Sequence, residues 1–177
     1  SGPLAEAEVI SLAIDMLDAC GLENWEVRIG HVGILHDVLS GLGLSSEGAP
    51  ESPIASAMRL LDKGDWEGLE ELFSGHGVSS TATNDLRSLS ELDGGAETLT
   101  DAREILSRMN TSTDSLNELS QLLDALNLLA TSPPSLKVNL CVARGLDYYT
   151  GMVFEVDVPE LGGESQVLGG GSYKLLH

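Results

Sequence analysis

Positive charge is scarce in this chain. Its 177 residues carry nine lysines and arginines against 28 aspartates and glutamates, a formal net charge of −19. Such a field repels a polyphosphate backbone, so composition alone argues against nucleic-acid binding. The acids are dispersed, as at Asp15, Asp18, Glu51, Asp62, Glu70, Glu91 and Asp124, and form no block of the kind that makes an acidic tail. Dispersed acid with only Lys63, Lys137 and Lys174 as lysines equally suits a protein of concentrated salt. There a Debye length of about 3 Å at 1 M screens self-repulsion, and net charge says little about the partner. Cysteine is scarce as well: Cys20 and Cys141 lie far apart and are expected as reduced thiols of a cytoplasmic protein. No apolar run approaches the roughly 18–20 residues of a membrane span, which excludes a membrane protein of the helical kind. The opening SGPLAEAEVISL lacks the basic flank and long apolar stretch of a signal peptide. Aromatics reach only 4%, so any cluster of them stands out.

What is present is a 42% hydrophobic content, ample for one sizeable domain. Residues Leu4 to Cys20 predict an amphipathic helix, with Val9, Ile10, Ala13, Ile14 and Leu17 at spacings of three and four and Gly21 as its C-terminal stop. NWEVRIG alternates, placing Trp25, Val27 and Ile29 on one strand face. His31 to Leu42 predicts a second helix with Val32, Leu35, Val38 and Leu39 inward, before a turn-forming GLGLSSEGAPESP. From Glu51 to Ser132 short helical patterns follow one another: Pro53–Asp62, Trp66–Phe73, Ala82–Ser90, Leu99–Met109 and Ser115–Leu129. Ser115 with Glu118 has the spacing of a capping box. Strand texture returns in LKVNLCVA, GMVFEVDV and ESQVLGG, with PELGG as a hairpin connection, which predicts an antiparallel meander. The fold class is α+β, a sheet with flanking helices interrupted by an all-helical insertion. Its parts are residues 1–43, the helical insertion 44–134, and 135–177.

The aromatics and cations concentrate in ARGLDYYTG, where a turn between strands presents Arg144, Asp147, Tyr148 and Tyr149. Tyrosine offers a ring face and a hydroxyl to a ligand, and arginine a permanently charged donor fork for carboxylate or phosphate oxygens. An Arg–Asp pair with two tyrosines packed at a sheet edge explains the segment as well on generic grounds. LGGGSYKLL then sets Gly169, Gly170 and Gly171 in a row, which lets backbone lie flush against a flat ligand. It is no phosphate loop, lacking G-x-x-x-x-G-K-[ST], and a plain glycine bulge accounts for it equally well in isolation. His31 and His36 are five apart and do not share a helix face as metal ligands would, and His76 stands in a loop without partners nearby in sequence. No metal site is assigned. Glu155 is read as a structural strand residue, and Trp25 and Trp66 as core anchors.

Taken together and in order, Arg–Gly–Leu–Asp–Tyr–Tyr–Thr–Gly, Val–Phe–Glu, a hairpin and Gly–Gly–x–Tyr resemble the histidine-specific signature of histidyl-tRNA synthetases. AEAEVISLAIDML and VRIGHVGILHDVLSGLGL fit the same family's order, so the resemblance covers essentially the whole chain. It implies a partial class II synthetase antiparallel sheet, and the activation of histidine with ATP and its transfer to tRNA(His). It implies Arg144 at the α-phosphate and substrate carboxylate, where a fixed cation stabilises developing charge. Tyr148 and Tyr149 would form the histidine pocket, Gly169, Gly170 and Gly171 its floor, and Tyr173 the tyrosine of the second histidine motif. Asp147 would orient its neighbours. Ser172 and Lys174 depart from the arginine and aspartate that many members carry there.

The resemblance also implies ATP as co-substrate with Mg2+, a homodimer, and an insertion near the tRNA acceptor stem. The family's motif 2 is expected before Ser1, and its motif 3 and anticodon domain after His177, so the chain alone is expected to be inactive and to hold no cofactor. Two alternatives stand beside the ligase. One is a histidine-binding, non-catalytic paralogue such as the ATP-phosphoribosyltransferase regulatory subunit. The other is a pseudo-synthetase module for dimerisation or RNA docking. Arginine at 144 favours the enzyme, because a regulator has no adenylate charge to stabilise.

Overall fold

The computed structural model describes residues 2–48, 51–129, 135–141 and 149–173. Helix α1 (Pro3–Ala19) opens with proline in its first turn, and ends where Gly21 takes the left-handed conformation, φ 72°, that favours glycine. It buries Ala7, Ile10, Ala13 and Leu17, whereas Val9, expected inward, is 57% exposed on a side shared with Leu4, Leu12 and Met16. Strand β1 (Glu26–His31) buries Val27 and Ile29 as its alternation predicts. His31 leads into α2 (Val32–Gly41), whose Val32, Leu35, Val38 and Leu39 are buried.

Five helices follow: α3 (Pro53–Asp62), α4 (Trp66–Gly75), α5 (Ser80–Ser90), α6 (Thr98–Arg108) and α7 (Asp114–Leu129). The starts of α3, α4 and α5 are set by side-chain oxygens at the preceding position. Ser52, Asp65 and Ser79 accept from the N–H groups of Ala55, Gly68 and Ala82, which satisfies donors the helix itself leaves unpaired. Helix α7 buries Leu116, Leu119, Leu122, Leu123 and Leu126 and lies along α1, so the core runs without a break from the sheet into the helical block. Each such leucine withdrawn from water contributes roughly 1.5–3 kcal/mol. Ser115 and Glu118 do not cap α7. Both reach across to other elements, Ser115 to Asp37 and Glu118 to His31, because α7 already starts at Asp114 and presents these residues to α2 and β1.

The sheet has the order β2-β1-β3-β4, with β2 (Leu136–Val138), β3 (Met152–Asp157) and β4 (Gln166–Gly171). Strands β1, β3 and β4 are antiparallel neighbours. The expected meander does not include β2, which pairs parallel to β1 with Arg28 opposite Lys137. The helical block supplies the long crossover that a parallel pair needs, and with it β2 reaches the far side of β1. The described part of β2 is also shorter than the run to Ala143 that its composition suggests. A short 3-10 turn (Pro159–Glu164) joins β3 to β4 in place of a tight hairpin loop.

Candidate functional site

Register decides which side chains share a face. Val27 and Ile29 of β1 stand opposite Val156 and Phe154 of β3, so these four lie on one face of the sheet. The other face carries the row Lys137, Arg28, Glu155 and Gly169, and beside it Val153 opposite Gly171. The three glycines of β4 therefore serve two faces. Gly169 and Gly171 leave the polar face bare, whereas Gly170 makes room on the apolar face, where a Cβ would come within 2.8 Å of the Phe154 ring.

Tyr149 lies over this bare strand. A Cβ on Gly171 would sit 2.7 Å from Cδ1 of Tyr149, 2.8 Å from its Cγ, and 2.8 Å from the Met152 carbonyl. The phenol ring occupies the place a side chain would take. Of the tyrosines and glycines singled out in the sequence, Tyr149 and Gly171 are thus brought into direct contact, with Gly169 on the same face. Arg144, Asp147 and Tyr148 lie outside the described residues.

A cavity of about 630 Å³ opens on the polar face. Tyr149, Gly169 and Glu155 form part of its floor, with Arg28 and Gln166 beside them; Leu61, Asp62 and Trp66 of the helical block close it from above. Arg28 is held there by Asp157, to which its Nε donates at 2.7 Å and its Nη2 donates as well, while Ser165 donates to the other carboxylate oxygen at 3.1 Å. That hydrogen bonding raises the Arg28 pKa further. Cys141 also borders the cavity, and burial pushes its thiol up to about 12, which keeps it protonated and unreactive near neutral pH. Trp66 carries the Arg87 guanidinium 4.7 Å from its ring centroid. Both Trp25 and Trp66 pack partly buried against the core.

Two further cavities meet at Tyr149. A largely apolar groove of about 670 Å³ runs between α1 and β4, lined by Val9, Leu12, Met16 and Leu168. A polar one of about 750 Å³ is bounded by Glu6, His31, His36, Asp37 and Glu118. Tyr173 lines both with Tyr149 and is about half exposed. Among the described residues no cluster of three or more His, Cys, Asp or Glu side chains has the arrangement of a metal site. No described helix is long and apolar enough to cross a membrane.

The family model described as histidyl-tRNA synthetase matches residues 1–177. The histidine–tRNA ligase of Archaeoglobus fulgidus is 41% identical over 173 residues, which is 97% of this chain and 38% of that protein. The chain belongs to the histidyl-tRNA synthetase family. It spans about 38% of the length of the curated relative it matches. The histidyl-tRNA synthetase structure from Nostoc sp. PCC 7120 superposes with a TM-score of 0.82 at 18% identity, over 99% of this chain and 41% of that one. A Bacillus halodurans C structure described as an ATP phosphoribosyltransferase regulatory subunit/histidyl-tRNA synthetase gives 0.76 at 26% identity, over 97% and 43%. The mixed α+β fold with its four-stranded sheet is that of these synthetase structures.

Within this synthetase-type sheet, several cavity residues escaped the reading of the sequence. Glu155, taken there as a structural strand residue, borders the 630 Å³ cavity, as do Arg28, Asn139 and Gln166. The alternation of β1 already turned Arg28 away from Val27 and Ile29. Only the pairing of β1 with β3 set Glu155 next to it.

Proposed function

We propose that the protein, at the length of its curated relatives, is a class II histidine–tRNA ligase of the cytoplasm. In the first step the histidine carboxylate attacks the α-phosphorus of ATP, which arrives as co-substrate with Mg2+, and pyrophosphate leaves. In the second, a ribose hydroxyl at the end of tRNA(His) attacks the histidyl carbonyl and AMP leaves. The observation that carries the reading is the Tyr149 ring lying on Gly171, a flat platform at the glycine end of β4. On that platform Tyr149 meets the substrate imidazole together with Tyr148, Gly169 and the backbone alone of Gly170 continue the floor, and Tyr173 closes one side. Arg144 supplies the cation at the phosphoryl oxygens, where preorganised charge lowers the barrier, and Asp147 orients its neighbours. The finer assignments extend the same reading: residues 44–134 act as an insertion beside the tRNA acceptor stem, the full-length protein is a homodimer, and the dispersed acids suit a cytoplasm of high salt.

The test is histidine-dependent ATP–pyrophosphate exchange. The protein at the length of its relatives is expected to catalyse it, and the 177-residue chain alone is not. A second reading, a histidine-binding regulatory subunit, is supported by the likeness to the Bacillus halodurans structure, which is described as both regulatory subunit and synthetase. Histidine binding without exchange by the longer protein would decide for the regulator.

A further inference from the structure

His31 closes β1 and is buried against α7. Its Nδ1 accepts the Gly33 N–H at 3.1 Å, so a neutral ring carries its proton on Nε2, which meets Oε2 of Glu118 at 3.1 Å. One turn earlier on α7, Ser115 donates to Oδ2 of Asp37 at 3.0 Å. Two side chains three residues apart thus tie the start of α7 to the junction of β1 and α2. The fit around the ring is close: a Cβ on Gly33 would meet His31 Cε1 and Nδ1 at 2.9 Å.

The same junction holds the chain that follows Tyr149. The Val32 N–H donates to the Gly151 carbonyl at 3.0 Å, and the N–H groups of Thr150 and Gly151 both reach the Ser172 carbonyl, at 3.0 and 3.2 Å. A Cβ on Gly151 would run into the Ser172 hydroxyl and approach His31 Nε2 to 3.9 Å. The strand end that carries the imidazole is therefore tied through backbone to the turn between the Tyr149 ring and β3: His31 pairs with Met152, and the next residue, Val32, holds the Gly151 carbonyl.

We propose that His31 is a positioning residue for Tyr149: fixed between the Gly33 N–H and the Glu118 carboxylate, its ring sets the end of β1, which through Val32 N–H and the pairing with Met152 holds the Thr150–Gly151 turn and with it the phenol over Gly171. The kinetic consequence rests on the reading of Tyr149 as a contact to the substrate imidazole; the positional one does not. His31→Asn separates the roles, because asparagine still caps the Gly33 N–H but does not reach Glu118. Glu118→Ala cuts the same link from a side chain that is mostly in solvent. Glu118→Gln keeps an oxygen to accept from Nε2.

The experiment uses the protein at the length of its relatives, labelled with fluorotyrosine, with the Tyr149 resonance identified by Tyr149→Phe. His31→Asn and Glu118→Ala are each expected to displace that resonance and to raise KM for histidine about tenfold in pyrophosphate exchange, with kcat changed less than about twofold. Glu118→Gln is expected to behave as the unsubstituted protein. Nitrogen NMR of His31 is expected to show the proton on Nε2. A Tyr149 resonance that stays in place in both disrupting variants overturns the proposal, whatever happens to KM or to melting temperature. A displaced resonance with unchanged KM upholds the positioning and removes instead the assignment of Tyr149 to the histidine pocket.

Discussion

Gly171 and Tyr149 form a contact in which the absence of a side chain is the functional feature. Adding one methyl at Gly171 places a carbon 2.7 Å from the tyrosine ring and 2.8 Å from the backbone carbonyl of Met152. The carbonyl is held by the Ser172 N–H at 2.8 Å, so the strand end and the tyrosine ring must both shift. Gly171→Ala is expected to cost about 1–3 kcal/mol of stability, the usual range for overpacking, read as a fall in denaturant midpoint. It is also expected to raise KM for histidine by about tenfold in the relatives-length protein. Gly75, the last residue of α4, offers the control: a Cβ there meets nothing within 4 Å. Gly75→Ala should leave both measurements unchanged or raise stability by up to about 1 kcal/mol, since alanine is the better helix former.

Between elements, a polar contact rather than an apolar one joins β1 to the far end of β3 on the cavity face. Asp157 is buried, and Arg28 with Ser165 satisfies its carboxylate. Removing the arginine leaves a buried charge with one neutral hydroxyl, and that loss exceeds what the pair contributed. Arg28→Met is therefore expected to destabilise the chain by about 3 kcal/mol, whereas Arg28→Met combined with Asp157→Leu should recover most of the loss. Lys137 lies in the same row and bridges Glu26 at 3.3 Å in an exposed setting. Lys137→Met should change stability by no more than about 1 kcal/mol, as exposed pairs do. Chemical denaturation of the three variants measures all three statements, and a Lys137 effect as large as that of Arg28 would contradict them.

At the scale of the whole molecule the net charge of −19 sets the balance between compactness and self-repulsion. The described ion pairs engage few of the acids: Asp157, Glu118, Glu70, Asp85 and Glu26 take part in them. Screening should accordingly stabilise the fold. Melting temperature is expected to rise steadily as KCl increases from about 0.1 to 1 M, over which the Debye length falls from about 10 to 3 Å. A melting temperature independent of KCl across that range would remove the reading of the charge as an adaptation to salt.

Helices α3 to α7, the buried faces of α2 and β1, and the Gly21 stop were determined by the sequence alone, because each depends on residues a few positions apart. Periodicity, capping serines and left-handed glycines are local properties. The concentration of Arg144, Tyr148 and Tyr149 before a triple glycine was equally local, and it carried the family resemblance. What only the tertiary structure decided depends on contacts between residues far apart in the chain. Strand pairing placed β2 beside β1, set Glu155 against Arg28, and divided Gly169 and Gly171 from Gly170 by the alternation of the pleat. Packing of α7 turned Ser115 and Glu118 from a local cap into ties to Asp37 and His31. A helix start can satisfy itself with neighbours in sequence, but which distant donor or acceptor comes within reach is fixed only when the elements are packed together.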